Sequence, residues 1–172
     1  MRKESASTRR RRELKEQYWP EDDELWTGKD EKGWFSAPRT LPLILSLLGN
    51  KKISEGKDPA PVYLELMSRQ IDNGIVEMDY ESTHAYAAGY EGQRALRTWQ
   101  ERMRVLETAG FIRVVKVGND NYKYVAIVHP TIAVERLRKK NKVPENWWNA
   151  YCERKAQTKE ATFEQRVANK EG

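Results

Sequence analysis

Residues 75–128 read IVEMDYESTHAYAAGYEGQRALRTWQERMRVLETAGFIRVVKVGNDNYKYVAIV, and this stretch decides the fold. Gly89 and Gly110 stand where helices are predicted to end, because glycine adopts the left-handed backbone of such turns without steric cost. β-Branched and aromatic residues fill the last part, on both sides of the Gly-Asn-Asp-Asn sequence at 118–121, which is typical of a hairpin turn. The predicted elements are a strand (75–78), a short helix (81–88), a longer helix (92–109) and two strands (111–117 and 122–128).

Apolar residues at helical spacing predict further helices on both sides of this stretch. Polar caps, and prolines in the first turn, mark where these helices are expected to begin. The predicted helices are 41–48, capped by Thr40 and closed by Gly49; 59–71, capped by Asp58; 130–140, opened by His129; and a last one from Pro144 that carries Trp147, Trp148 and Tyr151.

The composition is that of one domain of modest size with polar ends. One third of the 172 residues are charged, and the mean hydropathy is −0.89. We therefore predict a mainly α protein with a small antiparallel sheet. The predicted parts are an N-terminal arm that is partly disordered (1–36), a central domain (37–142) and a C-terminal helix with a polar tail (143–172).

The N-terminal arm is first basic and then acidic. Residues 1–18 hold seven lysines and arginines against three acids, and residues 19–33 hold two against six. Neither segment has a sustained apolar period, so we expect an arm that is flexible or docks through Trp19, Trp26 and Trp34. The arginine block at 9–12 has two interpretations, a solvated basic tail or an arm that contacts DNA phosphates.

The longer predicted helix is two-sided. Arginine can bind guanine, and glutamine adenine, through paired hydrogen bonds, so the polar side suits base recognition. Alternatively, Glu101 pairs with Arg97 or Arg104 and the side is an ordinary solvated surface. The apolar stripe comprises Leu96, Trp99, Met103 and Leu106, and the polar side comprises Gln93, Arg94, Arg97, Thr98, Gln100, Glu101 and Arg104.

Two short motifs in this region resemble those of winged helix-turn-helix proteins. Ala85 followed four residues later by Gly89 resembles the helix-turn-helix signature, in which a small residue permits close helix crossing and a glycine makes the turn. LETAGFIRVV at 106–115 resembles the junction between recognition helix and wing. His84 and Thr98 depart from the apolar residues of the signature and Trp99 serves instead, so we expect a turn about one residue longer.

The resemblance implies a protein that binds double-stranded DNA. It places the N-terminal half of the longer helix in the major groove and the hairpin on phosphates or in the minor groove. It also implies a homodimer, because helix-turn-helix modules usually act as symmetric pairs. The implied base contacts are Gln93, Arg94, Arg97 and Thr98, and the implied phosphate or wing contacts are Tyr90, Arg102, Arg104, Lys116, Asn119, Asn121 and Lys123.

The distribution of charge agrees with this interpretation. Residues 89–142 hold twelve lysines and arginines against five acids, a net charge of +7 that exceeds the +5 of the whole chain. The basic run at 136–142 either extends the phosphate contacts or is an ordinary cationic helix end. A basic excess in one region favours a polyanionic partner.

Enzyme chemistry is not expected. The sequence has no glycine-rich phosphate loop, no metal-ligand spacing and no nucleophile motif, so we predict no enzymatic activity, no metal and no cofactor. The single cysteine, Cys152, excludes an internal disulfide. No apolar run approaches the roughly 20 residues of a membrane span, so we expect a cytoplasmic protein without membrane contact.

The predicted function is sequence-specific binding of double-stranded DNA. Such a protein would act as a transcriptional regulator, or as a replication or maintenance factor of a plasmid or another mobile element. The alternative is a winged-helix module that binds another protein through the tryptophan-rich segment 19–34. RNA binding is a third hypothesis.

Overall fold

The computed structural model describes residues 5–20, 25, 32–70, 73–160, 165 and 168, and the chain forms two compact units, Met1–Trp34 and Phe35–Gly172. The predicted class, mainly α with a small antiparallel sheet, is confirmed. Within the described residues, no helix combines the length and apolar character needed to cross a bilayer. The elements are α1 (Ala6–Tyr18), α2 (Leu41–Leu48), α3 (Lys51–Ser54), α4 (Ala60–Arg69), β1 (Ile75–Glu77), α5 (Glu81–Ala87), α6 (Ala95–Ala109), β2 (Ile112–Val117), β3 (Asp120–Ile127), α7 (Pro130–Lys139) and α8 (Glu145–Thr158).

The sheet has the order β1-β3-β2, with both pairs antiparallel. Val125 in the central strand lies opposite Val76 on one side and Val114 on the other, and this side of the sheet faces the core. The β2–β3 turn consists of Gly118 and Asn119 alone, so β3 begins two residues earlier than predicted. Gly118 has a φ of 59°, and glycine at the first position is what a two-residue turn of this kind needs.

One hydrophobic core joins α2, α4, α6, α8 and the sheet. The Tyr63 ring meets the Phe111 ring edge to face at 5.4 Å between centroids, where α4 packs near the start of β2. The Trp147 indole N–H donates to the Leu43 carbonyl oxygen at 2.8 Å, which ties α8 to α2. The C-terminal helix is therefore part of the same compact unit as the sheet.

Two predicted helix caps behave differently from expectation. The cap by Thr40 is wrong, because its hydroxyl instead donates to Glu160 Oε2 at 2.9 Å and its amide donates to Glu160 Oε1 at 3.1 Å. A carboxylate is a stronger acceptor, and it satisfies both donors at once. Asp58 Oδ1 does accept a hydrogen bond from the Ala60 amide at 2.9 Å, although α4 begins only at Ala60. α4 ends at Arg69, with Gln70 extended, so it stops before the predicted end at Ile71, a residue outside those that the structure describes.

Two helices are not predicted by the sequence pattern. In α1, Ser5 Oγ accepts from the Thr8 amide at 3.2 Å, and no side chain of the helix is buried. In α3, Asn50 Oδ1 accepts from the Lys52 amide at 3.0 Å. The first helix has no apolar side to produce a period, and the second is a single turn, so a search for hydrophobic periodicity finds neither.

The predicted docking of the N-terminal arm through Trp26 falls on a residue outside those that the structure describes.

Candidate nucleic-acid interface

The end of α5 has the backbone conformation that the Ala85 and Gly89 spacing predicts. The Tyr90 amide donates to the Ala85 carbonyl oxygen at 3.0 Å, and the Gly89 amide donates to the Tyr86 carbonyl oxygen at 2.9 Å. This pair of bonds defines a Schellman motif. Gly89 has a φ of 89°, and Ala85 is fully buried in α5, which packs against α6.

The turn between the two helices is longer than predicted. It spans residues 88–94, and a second glycine, Gly92, has a φ of 77°. Typical helix-turn-helix turns have about 3–4 residues. The predicted helix start at Gly92 is therefore wrong, because a left-handed residue cannot belong to a right-handed helix. Gln93 and Arg94 precede α6 rather than lying within it, next to the unsatisfied amides of its first turn.

The two sides of α6 are as predicted with two exceptions: the first two residues of the predicted polar side lie before the helix, and one residue of the predicted stripe is not buried. Trp99, Met103 and Leu106 are fully buried. Leu96 is 42% exposed, so its predicted place in the buried stripe is wrong. With the helix beginning at Ala95, Leu96 falls in the first turn, before the buried positions begin. Burial of Met103 and Leu106 contributes about 1.5–3 kcal/mol each, which holds the opposite side outward.

The centre of the outward side is one carboxylate surrounded by three cations. Glu101 Oε1 lies 3.3 Å from Arg97 Nε, and Oε2 lies 3.3 Å from Arg102 Nη1 and 3.9 Å from Lys57 Nζ. These four groups have a net charge of +2. The predicted pair with Arg97 forms, whereas Arg104 is not a partner of Glu101. A single acid therefore orders the cluster without neutralising it.

Arg102 and Tyr90 are engaged inside the protein rather than directed to solvent. The Arg102 side chain is 21% exposed, and its guanidinium lies over the Tyr90 ring at 5.8 Å from the centroid. Burial raises the pKa of Tyr90, and the neighbouring Arg102 charge partly opposes this. Both residues support the cluster, so any contact with a partner would be made by their accessible edges.

The arginines at the start of α6 are accessible to solvent. The Arg97 side chain is 83% exposed. Arg94 and Gln93 are exposed, and Arg94 has no ion pair among the described residues. Thr98 is partly buried beside them. Further along the helix, Arg104 is exposed. The base-contact candidates thus lie together at one end of the outward side.

A lysine group beside α6 is not predicted by the sequence pattern. α3 packs against α6 and presents Lys51 and Lys52 to solvent, and Lys57 follows it. Asn50 is the only signal that could have located this short helix, because asparagine is a strong helix cap. The cationic surface therefore extends past α6 itself.

Of the two lysines in the hairpin, one has no ion pair among the described residues and the other is paired with acids. Lys116, Asn119 and Asn121 are exposed around the tip, and Lys116 has no ion pair within the described part of the chain. Lys123 Nζ lies 3.4 Å from Glu77 and 3.5 Å from Asp79. Desolvation disfavours its charged form, but the two carboxylates outweigh that effect and raise the Lys123 pKa. Lys123 therefore ties β3 to β1.

The basic end of α7 is partly used within the fold. Arg138 donates to Glu145 Oε2 at 2.6 Å and lies over the Trp148 ring at 5.2 Å from the centroid. Lys139, Lys140 and Lys142 are exposed. Cations at a helix C-terminus stabilise it through the helix dipole, which accounts for this cluster without a partner.

His84 has a role in packing. Its Nδ1 atom lies 3.1 Å from Glu65 Oε1, which also accepts from Arg69 Nε at 2.7 Å. The His84 ring lies 5.8 Å from the Trp99 ring. A cleft of about 600 Å³ lies beside His84, Arg69 and Tyr80. This cleft is not lined by the outward residues of α6, and a duplex is bound by a projecting surface rather than by a cavity.

Comparisons with protein-family models, with curated proteins and with solved structures gave no match.

Proposed function

We propose that the protein binds double-stranded DNA in a sequence-specific manner through α6 and the β2–β3 hairpin. The observation that carries this proposal is the start of α6, where exposed Arg97 lies opposite a fully buried apolar stripe and exposed Arg94 directly precedes the helix. The order α4-β1-α5-α6-β2-β3, with β3 central in the sheet, supports the same proposal. In this arrangement α6 is the helix that would enter the major groove.

The contacts divide by chemistry. Gln93, Arg94, Arg97 and Thr98 would meet base edges, since arginine and glutamine form paired hydrogen bonds with purines. Lys57 and the lysines of α3 would meet phosphates beside the helix, and Lys116 with Asn119 would do so from the hairpin. Phosphate contacts make the affinity depend on salt, whereas base contacts make it depend on sequence.

We propose further that the protein acts in the cytoplasm as a transcriptional regulator, or as a replication or maintenance factor of a plasmid or another mobile element. It would bind as a homodimer to a two-fold symmetric site. The mechanism is reversible binding, with no chemical step and no cofactor.

Selection from a random duplex library tests the proposal. We expect an enriched motif with two-fold symmetry. The variant Arg94→Ala/Arg97→Ala should bind the selected duplex roughly 30-fold more weakly or worse and lose its preference over unrelated duplexes, because each of the two paired contacts with a base contributes about 1–3 kcal/mol.

The matched control is Lys139→Ala/Lys140→Ala, which removes the same charge from the end of α7. It should weaken binding to selected and unrelated duplexes equally and only slightly. No enriched motif, equal losses for the two variants, or tighter binding to RNA in direct competition would each contradict the proposal.

A protein-interaction module is the second candidate, because Trp19 and Trp34 are exposed. This candidate function predicts that Trp19→Ala/Trp34→Ala abolishes capture of a protein partner. It also predicts that Arg94→Ala/Arg97→Ala leaves that capture unchanged. Trp26, the other aromatic residue of this hypothesis, lies outside the described residues.

A further inference from the structure

The charges of α1 are separated by side. Residues four apart on a helix lie in one row. Two neighbouring rows of α1 each contain an ion pair within the helix. Arg9 Nε lies 3.8 Å from Glu13 Oε1, and Arg12 Nε lies 3.9 Å from Glu16 Oε1. The acids of the helix therefore lie on one side, where arginines already compensate them.

On the other side of α1, all the charged residues are cations. Arg10 and Arg11 are exposed and Lys15 is partly buried, and none of the three has an ion pair within the described part of the chain. Arg11 and Lys15 occupy one row, where like charges repel each other and destabilise a helix. An anion bound along this row would remove the repulsion. This separation into a compensated and an uncompensated side points to a polyanionic partner.

The apolar content of α1 is too small for a hydrophobic partner. Leu14 and Tyr18 are its large apolar side chains, both are exposed, and no residue of the helix is buried. A helix that lies in a lipid interface needs a broad apolar face with several such residues. An isolated helix of this length is also marginal in water. A contact that neutralises the cationic side would stabilise it.

We infer that α1 is a second DNA-contacting element, which binds the phosphate backbone through Arg10, Arg11 and Lys15 and reads no bases. The inference rests on the proposed function, because the duplex bound by α6 is the polyanion that supplies the phosphates. Since α1 belongs to the same chain, its contact with that duplex is intramolecular and adds affinity without a second binding partner. Specificity then resides in α6, and α1 adds affinity that depends on salt.

The test uses the full chain with Arg10, Arg11 and Lys15 all changed to glutamine, which keeps high helix propensity. Binding is measured on a selected duplex and on an unrelated duplex from 50 to 200 mM salt. We expect the slope of log affinity against log salt to decrease in magnitude by about 2 to 3 on both duplexes. At the low-salt end we expect a loss of roughly 10- to 50-fold, with the ratio between the two duplexes unchanged.

The matched control is Arg9→Gln/Glu13→Gln, which removes one compensated pair and leaves the net charge unchanged, so its slope should equal that of the wild type. An unchanged slope for the triple variant would overturn the inference. If Arg94→Ala/Arg97→Ala still loses binding in the same assay, the proposed function stands and only the role of α1 fails. The inference would also be overturned if the triple variant lost binding to phosphatidylserine vesicles but kept its binding to the duplex. The partner of α1 would then be a membrane surface.

Discussion

The helices α6 and α1 both carry clusters of arginine, but they differ in what orients those clusters. In α6, Trp99, Met103 and Leu106 are fully buried, so the opposite side must face outward. In α1 no side chain is buried, and only the pairing of Arg9 with Glu13 and of Arg12 with Glu16 distinguishes one side from the other. The first cluster is positioned by packing and the second by charge compensation.

This difference bears on what each helix can recognise. Base recognition needs side chains held in a defined position relative to the duplex, because a paired hydrogen bond tolerates little displacement. Phosphate binding is less demanding, since a duplex presents its charges regularly along both strands. A helix anchored on a core suits the first task, and a helix without an anchor suits only the second.

The largest expected effect comes from removing the anchor of α6. Trp99→Ala should lower the free energy of unfolding by about 3–5 kcal/mol, since it leaves a large cavity where the indole packs beside the His84 ring. Chemical denaturation monitored by circular dichroism measures this. The matched change in α1, Leu14→Ala, should alter the same quantity by less than about 0.5 kcal/mol, because Leu14 is exposed. Equal effects of the two substitutions would contradict the comparison.

The same contrast explains how much of the fold follows from sequence. The buried stripe of α6 has a helical period, and β2 and β3 are rich in β-branched and aromatic residues, so both features were predictable. The hydrogen bonds of Thr40 were not predictable, because their acceptor Glu160 lies 120 positions away along the chain. Capping rules describe local partners only.

Part of the candidate site was predictable for the same reason. The exposure of Arg97 follows from the helical period, whereas Arg94 lies in the turn before the helix. The recruitment of Lys57 to Glu101 does not, because it depends on how α3 packs against α6. The start of α6 at Ala95 also escaped prediction, since glycine at position 92 is compatible with either a helix or a left-handed turn.

A smaller effect is expected at a buried tyrosine, of which α1 has none. The Tyr63 hydroxyl is buried and has no hydrogen-bond partner among the described residues, and burial raises the pKa of Tyr63 above its ordinary value. The folded state therefore favours the neutral phenol. This contribution is fully present below the unfolded pKa of about 10 and is lost as the pH rises further.

Tyr63→Phe removes the group whose ionisation lowers the stability above pH 10. We expect the free energy of unfolding at pH 7 to stay unchanged or to rise by about 1 kcal/mol, because an unsatisfied buried hydroxyl is removed. We also expect it to fall less steeply above pH 10 than in the wild type. Denaturation curves from pH 7 to 11 measure both quantities. A loss of more than about 1 kcal/mol at pH 7 would mean that the hydroxyl has a partner, such as a bound water.

The smallest effect is a gain in affinity for duplex DNA, and it is expected at Glu101, the acid that orders the α6 cluster. Glu101→Gln keeps the shape of the side chain but removes its charge from the midst of Lys57, Arg97 and Arg102. If phosphates approach this surface, affinity for duplex DNA should rise about twofold to threefold at 50 mM salt, since a repelling charge at about 6–10 Å in water is worth roughly 0.4–0.7 kcal/mol. Fluorescence anisotropy at two salt concentrations measures the change in affinity, which should be smaller at the higher concentration.

The matched substitution Glu13→Gln on the compensated side of α1 should produce a smaller increase in affinity, because that side is inferred to face away from the duplex. Weaker binding by Glu101→Gln would show that the carboxylate orients its arginines for base contact more than it repels phosphate, and α6 would then depend on charge compensation as well as on its buried stripe.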